Sequence, residues 1–196
     1  ETLRALAEEA GTLSAVTTME LPERMFPAGV RAIAQRRLDQ IPLDYHPLLR
    51  LSAVNGRQLD LNILRRIDPV LDLNVWLLVC AEACLLELED GEWRFAHDKL
   101  RDGILNGLAP DQLPKLHRMV AEATEAVYPG DASYAYQLVD HWHEAREIDK
   151  EIQYTHLAVE QRLASSDYHT ALLLLKRTIE SVPDELSARL RVLLAE

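Results

Sequence analysis

Leu86-Glu87-Leu88-Glu89-Asp90-Gly91-Glu92-Trp93-Arg94-Phe95 is the stretch on which the fold turns. Leu86, Leu88, Trp93 and Phe95 alternate with Glu87, Glu89, Glu92 and Arg94 on either side of Asp90-Gly91, a dipeptide that enters positive φ readily and so suits a two-residue hairpin turn. Elsewhere the apolar residues recur at helical spacing, and Leu, Ala, Glu and Arg dominate, so this hairpin is expected to be the one β element of a mainly α chain.

Upstream, Trp76, Leu77, Val79, Cys80 and Ala83 lie on a helix that Asp72 or Asn74 can start, and Asp60 can cap a short helix running through Arg66. Before these comes a helix from about Asp44 to Val54, stopped by Asn55-Gly56 as a left-handed cap pair, and another from Pro27 to Ile41 carrying Val30, Ile33, Ala34, Arg37 and Leu38. Leu3, Leu6, Ala7 and Ala10 read as the end of an earlier helix that stops at Gly11. Downstream, Asp98 to Leu105 returns to helical period, so helices, hairpin and helix follow in the order of a winged-helix variant. Pro110-Asp111 then starts a long helix using Leu113, Leu116, Met119, Val120, Ala123 and Val127. From Asp131 four further helices are expected, broken near Glu147-Ile148-Asp149, Ser165-Ser166-Asp167 and Val182-Pro183-Asp184. Tyr134 and Tyr168 stand 34 residues apart, which matches a tetratricopeptide period, and such an array is expected to continue beyond Glu196.

Across 196 residues, 48% are hydrophobic and 27% charged, enough apolar surface for one large or two small cores. The net charge of -11 works against binding to nucleic acid or to an anionic membrane, both of which gain affinity from Lys and Arg. The Arg31-Arg36-Arg37 and Arg57-Arg65-Arg66 clusters read as solvated or ion-paired helix faces. Cys80 and Cys84 sit one turn apart in an apolar run and read as small buried hydrophobes, with no further ligands spaced for zinc. Without a signal peptide or an apolar stretch long enough to span a bilayer, a cytoplasmic location is the expectation.

Three stretches resemble the signal-transduction ATPases with numerous domains, in which an ATPase module is followed by a winged helix and tetratricopeptide-like repeats. They are Val30 to Pro42 with Leu48 to Arg57, Cys84 to Asp98 across the hairpin, and Leu113 to His117 with His141-Trp142-His143-Glu144-Ala145. The resemblance implies three regions: residues 1–20 as the end of an upstream ATPase lid helix and linker, 21–108 as a winged-helix-like domain, and 109–196 as antiparallel tetratricopeptide-like helices. It also implies that Phe95-Ala96-His97-Asp98 corresponds to the family's Met-His-Asp motif, with His97 as an ADP phosphate sensor in the parent protein and Asp98 capping the next helix. Ala96 departs from the namesake Met. Within these residues there is no G-x-x-x-x-G-K-[ST] loop to cradle phosphates, so ATP or ADP with magnesium is expected in the parent and no cofactor in the segment itself.

The remaining residues suggest no reaction centre. His141 and His143, at i and i+2, point nearly half a turn apart and cannot chelate together. His117, His46, His156 and His169 stand without a catalytic partner in sequence, and Trp76, Trp93 and Trp142 read as core anchors. The expectation is therefore a non-catalytic segment that couples nucleotide state to effector binding. Its partners would be the upstream ATPase domain and a protein or small-molecule effector at the repeats. Two rival readings are a plain repeat scaffold, and a DNA-binding winged helix, which the acidic hairpin Glu87-Glu89-Asp90-Glu92 disfavours.

Overall fold

The structure is a computed structural model that describes residues 35–181. The expected helix at 1–10, most of the helix from Pro27 and the helix beyond Val182 lie outside the described residues. Within them the chain is mainly helical, with one small two-stranded antiparallel sheet.

Residues 35–38 are helical and lead through the short turn Leu43–Tyr45 into α1 (His46–Asn55), α2 (Leu61–Ile67) and α3 (Leu73–Glu82). The hairpin β1 (Leu86–Glu89) and β2 (Glu92–Phe95) follows, then α4 (Asp98–Asn106). Asp60 and Asp72 start α2 and α3 as expected, each carboxylate accepting two backbone N–H groups of the first turn. The hairpin register pairs Leu86 with Phe95 and Glu89 with Glu92, and Asp90 and Gly91 take φ of 53° and 84°. A third extended piece went unread in the sequence: Leu59 N donates to Trp93 O at 2.8 Å and Phe95 N to Arg57 O at 2.9 Å, so residues 57–59 flank β2. One bridge is too short to leave an alternating pattern. Trp76, Phe95, Leu49, Leu64, Leu85 and Leu86 close this first core, with Trp76 Nε1 donating to Tyr45 O at 3.2 Å.

The second lobe consists of α5 (Leu113–Val127), α6 (Ala135–Glu144), α7 (Ile148–Ala164) and α8 (Tyr168–Ser181). The start of α6 meets the end of α7 where Arg162 lies over the Tyr136 ring, and the end of α6 meets the start of α7 at His143 and Glu151, so the two helices are antiparallel. α8 returns antiparallel to α7, with Thr155 and Thr178 hydroxyls bonded at 2.8 Å in the interior. Ala135, Val139, Ala158, Val159, Ala171 and Leu174 form the core of these three helices. Small residues at those positions let the backbones approach closely.

Several expectations need correction. α5 begins at Leu113, with Pro114 in its first turn, rather than at Pro110, and Met119 is 43% exposed. Gly56 has φ 149° and ψ -172°, a glycine-only region but not the left-handed cap. Cys84 is exposed, because α3 ends at Glu82 and Cys84 lies beyond it at φ 53°. Trp93 is only half-buried. Tyr134 stands at the start of α6 and Tyr168 at the start of α8, with Tyr168 66% exposed and Tyr134 packed against Tyr128. No helix among the described residues is long and apolar enough to cross a membrane.

Three helices end alike. After α3, α6 and α7, the residues Cys84, Arg146 and Ser166 turn left-handed, and the next N–H reaches back five residues, as in Glu147 N to Trp142 O at 3.0 Å and Asp167 N to Arg162 O at 2.8 Å. A left-handed L residue costs roughly 1–2 kcal/mol, and glycine's extra unfolded-state entropy offsets only part of the relief. Ser166→Gly is therefore expected to raise stability by about 0.5–1 kcal/mol, seen as a higher urea midpoint with an unchanged slope.

Candidate functional site

The side chains of greatest interest gather where the two lobes meet. α5 is buried on two sides. Val120 packs with Leu51 and Val54 of α1, and Ala121 packs with Leu138 and Trp142 of α6 and with Ala145 just past its end. Trp142 Nε1 and Lys150 Nζ both donate to Glu125 Oε1, at 3.1 and 2.9 Å, which ties the far end of α5 to α6 and α7.

Asp60 stands at the centre of the junction. Its Oδ1 accepts from Asn62 N and Ile63 N at 2.9 and 3.1 Å, and its Oδ2 accepts from Tyr128 Oη at 2.7 Å and Tyr134 Oη at 3.4 Å. One carboxylate thus caps α2 and anchors the chain leaving α5. The two tyrosine rings stack at 4.1 Å. Hydrogen bonding with Tyr128, desolvation and the Asp60 charge all hold the Tyr134 phenol above its ordinary pKa range. A cleft of about 590 Å³ opens here, lined among others by Arg57, Gln58, Asp60, Glu92, Tyr128 and Gln137. Its polar walls carry both charge signs, which suits a hydrogen-bonding ligand better than an apolar one.

The C-terminus of α1 draws in both lobes. Its carbonyls are unpaired within the helix and carry its negative pole, so donors are favoured there. Arg101 Nε of α4 donates to Ala53 O at 2.7 Å, and Gln137 Nε2 of α6 donates to Asn55 O at 3.2 Å. Gln137 Nε2 also lies 3.5 Å from His141 Nε2. The two amide N–H groups of Gln137 have closer acceptors in Asn55 O and Asn55 Oδ1, at 3.2 and 3.1 Å. The Nδ1 atoms of His141 and His117 lie 3.0 Å apart, one donating to the other and linking α6 to α5.

The pair cannot carry protons on both facing nitrogens. Burial, then the His117 charge, then Arg101 press the His141 pKa down to about 3, and burial also lowers that of His117. Sequence spacing gave no hint of this pairing, because the residues sit 24 positions apart on different helices.

His97 is exposed and forms the N-cap of α4 through its backbone, with Leu100 N donating to its carbonyl at 2.9 Å. Its ring makes no hydrogen bond among the described residues. Asp98 is the first residue of α4 and pairs with Arg57 at 3.3 Å, rather than capping the helix. His97 does not line the cleft, although Arg57 does.

His143 departs from His141 as their spacing implies. Its Nδ1 meets the buried Glu151 carboxylate at 3.1 Å and Ser181 Oγ at 3.2 Å. Serine, histidine and glutamate are together, but both partners address the same nitrogen, whereas a relay needs the acid on one nitrogen and the nucleophile on the other. Among the described residues no three His, Cys, Asp or Glu side chains come together as a metal site. No family model, curated protein or solved structure matches the chain.

The histidine pair predicts acid sensitivity. With the folded-state pKa of His141 depressed, the unfolded chain takes up protons first as the pH falls, so the pair's contribution is whole above about 6.5 and is lost as pH falls toward about 3. Between pH 6.5 and 5 the loss is expected to reach about 2 kcal/mol. His141→Gln should flatten that part of a stability-against-pH curve measured by urea unfolding.

Proposed function

We propose that this chain is a non-catalytic regulatory and interaction segment of a multidomain signalling ATPase, coupling nucleotide state to the binding of an effector. The observation that carries the reading is the double burial of α5. A helix packed at Val120 against α1 and at Ala121 against α6 cannot move with one lobe and leave the other unaffected. Coupling requires such a shared element between two binding surfaces.

Other features support the finer assignment. α1, the strand-like residues 57–59, α2, α3 and the hairpin follow in the order of a winged helix, and α6 to α8 run as antiparallel neighbours joined by three-residue turns, as tetratricopeptide-like helices do. The DNA-binding alternative has little support. α3 occupies the recognition position, yet its outer face carries exposed Val75 and Leu78 in place of arginine or lysine. In this reading the upstream ATPase domain binds ATP or ADP with magnesium, and His97, exposed at the start of α4, reaches its phosphate.

In the parent protein, His97→Ala is expected to reduce ADP retained through gel filtration by roughly tenfold or more, as loss of a hydrogen bond to a charged group implies. Unchanged ADP, with circular dichroism showing an intact fold, would leave the segment as a repeat scaffold without nucleotide coupling.

A further inference from the structure

The small sheet has an open edge. In a trans peptide the C=O of one residue points opposite to the N–H of the next. Arg57 O accepts from Phe95 N and Leu59 N donates to Trp93 O, so the N–H and the C=O of Gln58 both aim away from β2. Neither has a partner among the described residues, and Gln58 is exposed. An unpaired strand edge is a template on which another extended chain can pair.

Room for one lies alongside. Before this edge Gln137 Nε2 donates to Asn55 O, and after it Tyr128 Oη donates to Asp60 Oδ2. Between those two ties no hydrogen bond joins residues 56–59 to the second lobe among the described residues, and the cleft of about 590 Å³ opens with Gln58 in its wall. Ligand sites commonly enclose roughly 300–1,000 Å³.

The charges on the sheet select the occupant. Gln58 stands opposite Arg94, so its side chain shares a face with Arg94, Glu92, Glu87 and Glu89. Arg94 pairs with Glu87 and Glu89, whereas the Glu92 carboxylate meets only the neutral amide of Gln58. That face therefore holds three carboxylates and one guanidinium. A residue paired directly with Gln58 would carry its side chain on the same face, beside Glu92, where a positive charge is favoured.

We propose that the open edge at residues 57–59 binds an extended peptide by strand addition, Gln58 exchanging both backbone hydrogen bonds with one peptide residue whose side chain is basic. The backbone of Gln58 supplies the pairing, and Glu92 supplies the preference for charge. The site does not rest on nucleotide coupling, since every group it uses lies within the first lobe and the adjoining cleft.

The test is fluorescence anisotropy with the full chain and a fluorescein-labelled, C-terminally amidated Val-Thr-Arg-Thr-Val peptide, whose flanking residues favour the extended state. N-methylation of the central arginine's amide, or glutamate in place of that arginine, is expected to weaken binding roughly tenfold. Gln58→Pro removes the outward N–H at an edge position where proline is tolerated, and should lose the binding that Gln58→Ala retains. The N-methylated peptide needs no protein variant to fold. Absence of binding by the starting peptide would overturn the proposal, as would equal binding of the N-methylated form or equal binding by Gln58→Pro and Gln58→Ala. Self-association that rises with protein concentration and disappears in Gln58→Pro would assign the edge to a second copy, and would overturn it too.

Discussion

The structure depends on α5 being buried from two directions. A helix in a small protein usually gives one stripe to a core and the rest to water. Here Val120 and Thr124 are fully buried, as is Ala121 one residue on from Val120, so the helix has apolar faces roughly 100° apart. Small residues make this possible. Ala121, Ala123 and Thr124 allow neighbouring helices to come close, and Thr124 satisfies its hydroxyl internally by donating to Val120 O at 2.8 Å. A bulky residue at any of these positions would push one lobe away.

Around that helix the polar groups are arranged so that each lobe completes a helix end in the other. Gln137 of the second lobe supplies a donor to the last residue of α1, and Tyr128, just past α5, donates to the carboxylate that starts α2. Helix termini are where unpaired backbone groups accumulate, so they are the places where a neighbouring element gains most from contact. The exposed pairs, such as Arg57 with Asp98, add little by comparison, because solvent screens them.

Much of this architecture was legible in the sequence, and the reasons are local. Asp60 and Asp72 announce helix starts because a short carboxylate can reach the free amides of the next turn, and Asp90-Gly91 announces the hairpin because few other dipeptides tolerate two positive φ values in succession. What escaped was non-local. His117 and His141 meet only because α5 and α6 pack, and Tyr128 finds Asp60 only because α5 crosses α2. Helix ends closed by Cys84, Arg146 and Ser166 also escaped, since none of these residues signals a left-handed stop as glycine does. Met119 was assigned to the wrong side for a related reason. A single-stripe reading of α5 cannot anticipate a helix that is covered twice, which moves the buried set toward Ala121 and Thr124.

The bond between Tyr128 and Asp60 has a consequence for how the molecule folds. It joins residues 68 positions apart, and Asp60's other oxygen is needed to begin α2. Closing so long a loop carries an entropic cost that is recovered only when α5 docks, so the first lobe gains its full set of interactions late. The two lobes are therefore poor candidates for independent folding units. They should acquire and lose their structure together, and a chain emerging from the ribosome would hold the first lobe incomplete until Tyr128 had followed it out.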